Sequence, residues 1–143
     1  WSSDVCSSDL HMNTSTIKQI FELKTIAVVG MSPKPERPSH YVAMYLKENG
    51  YTIIPVNPGH KQISGMTCYP NLESIPQKVD VVGIFRRSEF VPKIVESAIA
   101  RQVKAIWMQD NVIHEGAAQK AKDAGLLVVM NDCMLRQHRN MLS

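Results

Sequence analysis

A polar loop with one glycine and two cations is the segment of this sequence best suited to chemistry. The apolar run 26–29 ends at Gly30, and Met-Ser-Pro-Lys-Pro-Glu leads from there to Arg37. Pro38 and Ser39 then open a helix-like pattern. A strand, a tight turn and a helix N-terminus bind phosphate well, because the first N–H groups of a helix lack intrahelical partners and carry partial positive charge. The loop therefore predicts a ligand that bears phosphate.

The same loop argues against two common kinds of nucleotide site. It lacks the second and third glycines of the dinucleotide fingerprint, and the sequence contains no Gly-Lys-Ser/Thr of a Walker loop. An NAD site also has a carboxylate at the end of the second strand. This chain has Val56, Asn57 and Pro58 there, and no acidic residue follows before Glu73. These differences favour a phosphate ligand other than NAD.

The sequence contains no recognisable catalytic or metal-binding pattern. Its five histidines lack metal-ligand spacing, its three cysteines form no CxxC pair, and no serine lies in a G-x-S-x-G elbow. We therefore expect a ligand cradle without catalytic machinery and without a metal ion.

Five apolar runs of strand length must position the loop. They are rich in Val and Ile and do not alternate with polar residues, which is typical of parallel strands covered on both faces. The runs are 26–29, 52–56, 79–85, 105–108 and 126–130. Helical spacing occurs at 16–24, 41–46, 90–99 and 113–124, and the tail 134–143 is expected to be a solvated helix or a frayed end. This order predicts a three-layer, doubly wound α/β sandwich with a mostly parallel five-stranded sheet.

Polar residues follow the predicted strands, at the edge where such sheets bind ligands. Asn57 and Pro58 follow the second strand, Arg86 and Arg87 the third, and Gln109 the fourth. Each loop taken alone is equally well explained as an ordinary solvated turn. Their convergence on one sheet edge favours a shared anion site.

The overall composition limits the partners of the protein. A net charge of +3 without a dense Lys/Arg stripe argues against nucleic-acid binding. No apolar stretch approaches the roughly 18 residues of a membrane span. The cysteines form no disulfide framework, which is typical of a reduced cytoplasmic protein. The length predicts a single domain over 12–143, and the repetitive, Ser/Asp-rich segment 1–11 is interpreted as a non-native leader.

Ordered motifs along the chain resemble those of the small bacterial CoA-binding proteins. The motifs are residues 25–39, 51–58, 79–89, 104–109 and 124–130, with Cys133. Those single-domain proteins are similar to the Rossmann-like, CoA-binding domain of the succinyl-CoA synthetase α subunit and of ADP-forming acyl-CoA synthetases. The resemblance covers residues 20–133 and implies a Rossmann-like fold with coenzyme A or an acyl-CoA as ligand. A protein partner or a homo-oligomer stays open.

The resemblance also implies roles for residues at matching positions. The loop at Gly30 is expected to offer backbone and hydroxyl groups to the pyrophosphate, and Arg37 to meet a phosphate or close the loop. Asn57 is expected to shape the wall along the nucleotide, Arg86 to lie near the adenine and the ribose phosphate, and Gln109 to lie toward the pantetheine arm. The full set expected to contact the ligand is Gly30, Met31, Ser32, Lys34, Arg37, Pro38, Ser39, Val56, Asn57, Pro58, Phe85, Arg86, Arg87, Gln109 and Cys133.

The chain departs from the family pattern at two loops. Asp110-Asn111-Val112 stands where many relatives have a Leu-Gly turn, and Asn111 is expected to replace the glycine at positive φ. Asn131-Asp132-Cys133 stands where Asp-Arg-Cys is common, so an arginine that bears on the ligand is missing from that position. The phosphorylated histidine segment of the synthetases has no counterpart here, which argues against independent ligase activity.

Two interpretations of Cys133 follow from its place after the last strand. It is either a thiol that meets the CoA thiol, as a mixed disulfide, or a small, partly buried hydrophobe. The absence of an assured basic neighbour favours the second interpretation. Cys68 and Trp107 are expected to serve in packing.

The favoured function is a non-catalytic module that binds CoA or an acyl-CoA. Two enzymatic alternatives stay open, an NAD(P)-binding oxidoreductase and a CoA-ligase subunit that acts with a partner.

Overall fold

Five parallel strands form the sheet at the centre of the molecule. The computed structural model describes residues 15–142. The strands of this sheet are β1 (Thr25–Val29), β2 (Thr52–Val56), β5 (Val81–Ile84), β6 (Ala105–Met108) and β7 (Leu127–Val129). A separate antiparallel hairpin joins β3 (Gln62–Ile63) to β4 (Met66–Thr67).

Helices connect the strands and cover both faces of the sheet. Within the described residues they are α1 (residues 15–21), α2 (Pro38–Glu48), α3 (Val91–Ala100), α4 (Glu115–Asp123) and α5 (Met134–Leu142). Short 3₁₀ turns lie at Leu72–Ser74 and Ser88–Phe90. The helix α4 ends at Gly125, whose φ of +89° suits glycine better than any other residue.

The strand order is β2-β1-β5-β6-β7, which could not be derived from the sequence. From β1 the chain moves outward to β2, and then returns to place β5 on the other side of β1. The boundary between β1 and β5 is therefore the point where the winding direction reverses. In sheets of this kind the ligand binds beyond the carboxyl ends of the strands at that point.

Two separate apolar clusters pack on the two faces of the sheet, which confirms the predicted three layers. One cluster combines residues of α3 and α4 with residues of the strands, and the other combines α1, α2 and the first residue of α5 with the opposite strand face. Trp107 is fully buried in the second cluster, and its Nε1 donates a hydrogen bond to the Asp132 carbonyl at 3.0 Å. The packing role predicted for Trp107 is confirmed.

The predicted strands agree with the structure to within two residues at each end. The four strands β1, β2, β5 and β6 are buried along almost their whole length, as expected for strands covered on both faces. The strand β7 is half-buried throughout and lies at one edge of the sheet, whereas β2 at the other edge is covered by contacts with β4.

The tail differs from the expected solvated or frayed segment. It forms α5, which buries Met134 and His138 against the sheet and against α2. The His138 Nδ1 and the Tyr45 hydroxyl are hydrogen bonded at 2.8 Å, and the imidazole packs edge-on against the Phe21 and Tyr51 rings. The predicted helix is present, but the burial of one of its faces was not predicted. The few apolar residues of the tail lie among five polar ones in the sequence, although they fall on one helical face.

Two further features bear on the sequence predictions. The β3–β4 hairpin was not predicted, because strands of two residues carry too little periodicity to be recognised. The segment 1–11, interpreted as a non-native leader, lies outside the described residues. None of the helices within residues 15–142 is long and apolar enough to cross a membrane.

Candidate ligand site at the sheet switch point

The chain makes a sharp corner at Gly30, directly beyond the end of β1. The Gly30 N–H donates to the Val56 carbonyl at 2.8 Å, and the backbone has a φ of +86°. A Cβ at this position would lie 3.0 Å from Cδ of Arg86 and 3.2 Å from the Phe85 carbonyl oxygen. Glycine is therefore required at this corner twice, for its backbone conformation and for the close approach of Arg86.

Asn57 holds the loop that follows Gly30. Its Nδ2 donates to the Met31 carbonyl at 2.9 Å, and its Oδ1 accepts from the Gly59 N–H at 2.9 Å. Both ends of the amide are thus used within the protein. Asn57 therefore sets the shape of the loop, and its expected role as a wall residue along the nucleotide stays a prediction.

His40 ties the same loop to the hairpin. This imidazole is buried, with its Nδ1 at 2.8 Å from the Ser32 carbonyl and its Nε2 at 3.2 Å from the Ser64 hydroxyl. A carbonyl oxygen can only accept a hydrogen bond, so Nδ1 of His40 carries a proton and donates it. In the neutral imidazole, Nε2 then accepts from the Ser64 hydroxyl. The Ser32 N–H donates in turn to Oγ of Ser39 at 3.0 Å. The loop is therefore fixed before any ligand arrives.

The loop leads into α2, whose N-terminus faces the corner. Arg37 caps the helix with extended backbone and Pro38 occupies the first turn. Among the described residues, the N–H groups of Met31 and Ser39 find no protein acceptor. Met31 is fully buried, so the Ser39 N–H at the helix N-terminus is the backbone donor suited to an anion.

A first cleft opens on the α3 side of the corner, with a volume of about 450 Å³. Its walls are mostly apolar and include Val29, Val56 and Pro58. The guanidinium of Arg86 crosses this cleft and stacks on the Phe90 ring, with 4.5 Å from Cζ to the ring centroid.

Two cations of the first cleft lack an acidic partner. Lys93 of α3 lines the cleft together with Arg86, and neither makes an ion pair with a described carboxylate. An apolar slot with a stacked guanidinium and a second free cation is suited to a flat ring that carries phosphate.

A second cleft opens on the α2 and α5 side of the corner, with a volume of about 420 Å³. It runs from the α2 N-terminus past Phe85 to the ends of β6 and β7. Gln109, Asp110 and Cys133 form its far part. This lining is more polar than that of the first cleft.

Gln109 carries a buried donor without a partner. The side chain is 3% exposed, and its Oε1 accepts from the Met134 N–H at 3.3 Å. Its Nε2 has no hydrogen-bond partner and lies over Gly83, 3.3 Å from where a Cβ would stand. An unsatisfied buried amide costs about 1–3 kcal/mol. Because this Nε2 has no accessible surface, a ligand in the second cleft reaches it only if the Gln109 side chain moves.

Arg136 of α5 pairs with Asp110, which lines the second cleft. It forms two hydrogen bonds with Asp110, at 2.9 and 3.1 Å, and one with Asp132 at 2.7 Å. The two carboxylates raise the pKa of Arg136, which stays charged. Arg136 lies one helical turn after Asp132, the position where the family pattern has an arginine.

The turn that holds Asp110 has the backbone expected for it. Asn111 has a φ of +68°, which confirms the positive φ predicted for it. The Asn111 N–H donates to Oδ1 of Asn131 at 2.8 Å, which joins the ends of β6 and β7.

Ten of the fifteen expected ligand residues line one of the two clefts. Those in the first cleft are Gly30, Val56, Pro58 and Arg86. Those in the second are Arg37, Pro38, Ser39, Phe85, Gln109 and Cys133.

The other five residues line neither cleft. Met31 buries its side chain completely, while Ser32 and Asn57 hold the loop. Lys34 lies exposed on the loop. Arg87 points into solvent, 3.8 Å from Glu89, so the structure separates it from its neighbour Arg86.

Sequence reasoning missed four residues that shape the site. Lys93 follows Phe90 by almost one helical turn, which could have placed it beside Arg86. His40 and Ser64 act on the loop across 24 residues, and no local pattern signals such a contact. Arg136 was overlooked because the tail was taken as solvated. No group of three metal-ligating side chains occurs in the described part of the chain.

Comparison with known proteins places the chain among domains of related sequence. The family model that matches residues 24–139 is described as a CoA binding domain. The chain is 37% identical over 123 residues to the uncharacterized protein YneT of Bacillus subtilis strain 168, covering 85% of this chain and 91% of that protein.

A larger enzyme contains a similar segment. The chain is 29% identical over 106 residues to ADP-forming acetate–CoA ligase I of Archaeoglobus fulgidus, a match that covers 74% of this chain and 16% of the ligase. Among solved structures, a hypothetical protein from Pyrococcus horikoshii OT3 superposes with a TM-score of 0.87 at 40% identity, covering 91% of this chain and 92% of that one. The fold predicted from the sequence is confirmed.

Proposed function

Because the chain belongs to the family of CoA binding domains, we propose that it binds coenzyme A across the corner at Gly30. The observation that carries the proposal is the pair of clefts that meet at this corner. One contains an unpaired guanidinium and the other an unpaired buried amide. CoA has a matching division, since an anionic nucleotide and an amide-rich pantetheine arm are joined by a pyrophosphate.

The pyrophosphate is assigned to the corner itself. The N-terminus of α2, with the free N–H of Ser39, lies beside this position, and Arg37 stands at the same helix end. The exposed Lys34 adds positive charge nearby. Charge-assisted hydrogen bonds of this kind are about twice as strong as neutral ones.

The adenosine 3′-phosphate is assigned to the first cleft. The adenine would lie against the apolar walls at Val56 and Pro58, and the 3′-phosphate would meet Arg86 and Lys93. Arg86 is already held by its stacking on Phe90, so little conformational entropy is lost when it pairs with a phosphate.

The pantetheine arm is assigned to the second cleft. A rotation of the buried Gln109 side chain would bring its Nε2, which lacks an acceptor, to the amide carbonyls of the arm. The thiol end would then approach Asp110 and Cys133, at the far part of this cleft. The proposal assigns no catalytic residue, and it includes a cytoplasmic location, since Cys68 and Cys133 are free thiols.

One observation keeps a dinucleotide as the second candidate. Glu73 is the first carboxylate after β2, and it lines the first cleft, where it could accept from ribose hydroxyls. The backbone argument still favours CoA, because the loop at Gly30 lacks the further glycines that let a dinucleotide pyrophosphate approach closely.

Calorimetric titration with CoA, acetyl-CoA, dephospho-CoA, NAD and NADP tests the proposal. We expect CoA and acetyl-CoA to bind, dephospho-CoA to bind about tenfold more weakly because it lacks the 3′-phosphate, and NAD to bind least. Tight binding of NAD or NADP without binding of CoA would overturn the assignment.

A further inference from the structure

Two side chains hold adjacent carbonyl groups of the loop between β1 and α2. Asn57 bonds the Met31 carbonyl at 2.9 Å. His40 bonds the next one, that of Ser32, with 2.8 Å between Nδ1 and the oxygen. Pro33 follows Ser32 and has no N–H, so this peptide group has no donor of its own to fix its orientation. The orientation of the Ser32 carbonyl therefore depends on His40.

The bond to His40 turns the Ser32 carbonyl toward the interior. The imidazole is 5% exposed, lies in the first turn of α2 and lines neither cleft. A carbonyl oxygen carries partial negative charge and repels a phosphate, whereas the helix N-terminus attracts one. Because this oxygen is bonded to a buried side chain, it is not presented to an anion beside the α2 N-terminus. His40 therefore favours anion binding without contact with the ligand.

The tip of the β3–β4 hairpin holds the same imidazole from its other side. The Ser64 hydroxyl lies 3.2 Å from Nε2. Ser64 and Gly65 form a two-residue turn with φ of +50° and +78°, the conformation typical of a tight hairpin. Ile63, next to the turn, is 1% exposed and packs in the same apolar cluster as α2. The hairpin is thus anchored in the core and places the hydroxyl at a fixed position.

We propose that His40 is a positioning residue for the bound ligand and links the hairpin tip to the loop, an inference that rests on the proposed function. The loop keeps its binding shape while His40 bonds Ser32 on one side and Ser64 on the other. Without these bonds the loop adopts other shapes as well. The apparent dissociation constant then rises in proportion as the binding shape becomes less populated.

Two amide substitutions separate the two bonds of the imidazole. The amide nitrogen of asparagine is bonded to Cγ, as Nδ1 is in histidine, so His40→Asn keeps a donor for the Ser32 carbonyl. The amide of glutamine lies one bond further out, so His40→Gln keeps a partner for Ser64 and loses the bond to Ser32. By calorimetry, we expect His40→Gln and His40→Ala to weaken CoA binding about tenfold, and His40→Asn to restore most of the affinity. Dephospho-CoA should lose the same factor as CoA, because the two ligands share the pyrophosphate.

Ser64→Ala tests the contribution of the hairpin tip. Ser64 is exposed and lines neither cleft, so its effect on affinity must pass through His40. We expect a loss of about threefold in the unaltered protein and no further loss in His40→Asn, whose shorter side chain does not reach the hydroxyl. Thr67→Ala, at an exposed position of the same hairpin, is the control and should bind CoA normally.

Hydrogen exchange of the ligand-free proteins measures the shape of the loop directly. The N–H groups of Ser32 and Lys34 are bonded to the hydroxyls of Ser39 and Ser32. These two groups should exchange faster in His40→Gln than in His40→Asn, while the N–H groups of β1 should exchange equally in both variants.

Three outcomes overturn the inference. Equal CoA affinity of His40→Asn and His40→Gln would limit His40 to a packing role. A loss from Ser64→Ala that persists in His40→Asn would show that the hairpin tip acts by another route. Equal exchange of the loop in the two His40 variants would show that the bond to Ser32 does not fix its shape. If the unaltered protein binds CoA and any of these results is found, the proposed function stands without this inference, whereas absence of CoA binding removes both.

Discussion

The two clefts that meet at Gly30 are built in different ways. The first is formed by strand ends, the following loops and α3, and its cations stand free. The second is formed by the α2 N-terminus with Arg37, by the turn after β6 and by Cys133 directly before α5. Its Asp110 is already paired with Arg136, and the Gln109 amide beneath it has a buried Nε2 without a partner.

This difference separates affinity from selectivity. Free cations attract any phosphorylated nucleotide, since charge acts at a distance and tolerates many geometries. A buried amide donor discriminates more sharply, because a ligand that cannot satisfy it leaves the donor unpaired. We therefore assign most of the affinity to the first cleft and the preference for pantetheine to the second.

The largest effect is expected where the clefts meet. Gly30→Ala adds a Cβ 3.0 Å from Cδ of Arg86, so the guanidinium must move and the corner must open. We expect CoA affinity to fall about a hundredfold, which corresponds to about 2.7 kcal/mol. Calorimetry measures the affinity.

Gly125→Ala is the matched control for that variant. Gly125 has a φ of +89°, close to that of Gly30, but no atom lies within 4 Å of its added Cβ. Both variants should lose about 1 kcal/mol of stability from backbone strain, whereas Gly125→Ala should bind CoA normally. Equal binding losses in the two variants would show that strain alone, and not the corner, explains the effect.

The next effect tests the first cleft. Arg86→Ala should weaken CoA binding about thirtyfold, in line with the loss of a charge-assisted hydrogen bond. Binding of dephospho-CoA should fall less, since that ligand lacks the ribose phosphate. Arg87→Ala is the control, because this arginine is exposed and pairs with Glu89. Equal losses of both ligands would show that Arg86 does not contact the ribose phosphate.

A smaller effect tests the second cleft. Gln109→Met removes the Nε2 donor with little change in volume, and CoA affinity should fall about tenfold or less. Adenosine 3′,5′-bisphosphate, which has no pantetheine, should bind as it does to the unaltered protein. Gln119→Met on the exposed face of α4 is the control. A parallel loss of the bisphosphate would contradict the division between the clefts.

The smallest effect concerns the docking of α5. Burial lowers the pKa of His138, so the folded protein keeps this imidazole neutral where the unfolded chain protonates it. The unfolded state therefore binds more protons below pH 6.5, the ordinary pKa, and the free energy of unfolding should fall as the pH drops below that value.

Urea unfolding at several pH values measures this dependence. The groups around the His138 imidazole are the Tyr45 hydroxyl and the Phe21 and Tyr51 rings, with no carboxylate among these contacts to stabilise a charged form. His138→Gln should flatten the slope between pH 7 and 5, and the exposed His60→Gln should leave it unchanged. An unaltered slope in His138→Gln would assign the pH dependence to another group.

The first cleft could be predicted from the sequence and the second in part. Gly30, Val56 and Arg86 stand in local patterns at strand ends, and parallel strands must bring their carboxyl ends to one edge. The strand order depends on pairing between strands that are far apart in the sequence. No local pattern encodes it, so it could not be predicted. The separation of Arg86 from Arg87 depends on the turn at Ser88–Phe90, which orients two neighbouring side chains differently.

The contribution of α5 could not be read from its composition. Met134 and His138 are buried because they fall on one face, and the sheet edge supplies the surface for that face. A buried histidine among aromatic rings gives no signal in a polar stretch of sequence. Contacts between distant segments, such as that of Arg136 with Asp110, were missed for the same reason.

The Asn57 bonds to Met31 and Gly59 have a consequence for the kinetics of binding. Ordering a loop costs about 1–2 kcal/mol of conformational entropy for each residue. These bonds offset that cost in the absence of a ligand. The ligand then meets a surface already in its final shape, and capture needs no slow rearrangement of this segment. We therefore expect CoA association to be a single step whose observed rate rises in proportion to ligand concentration.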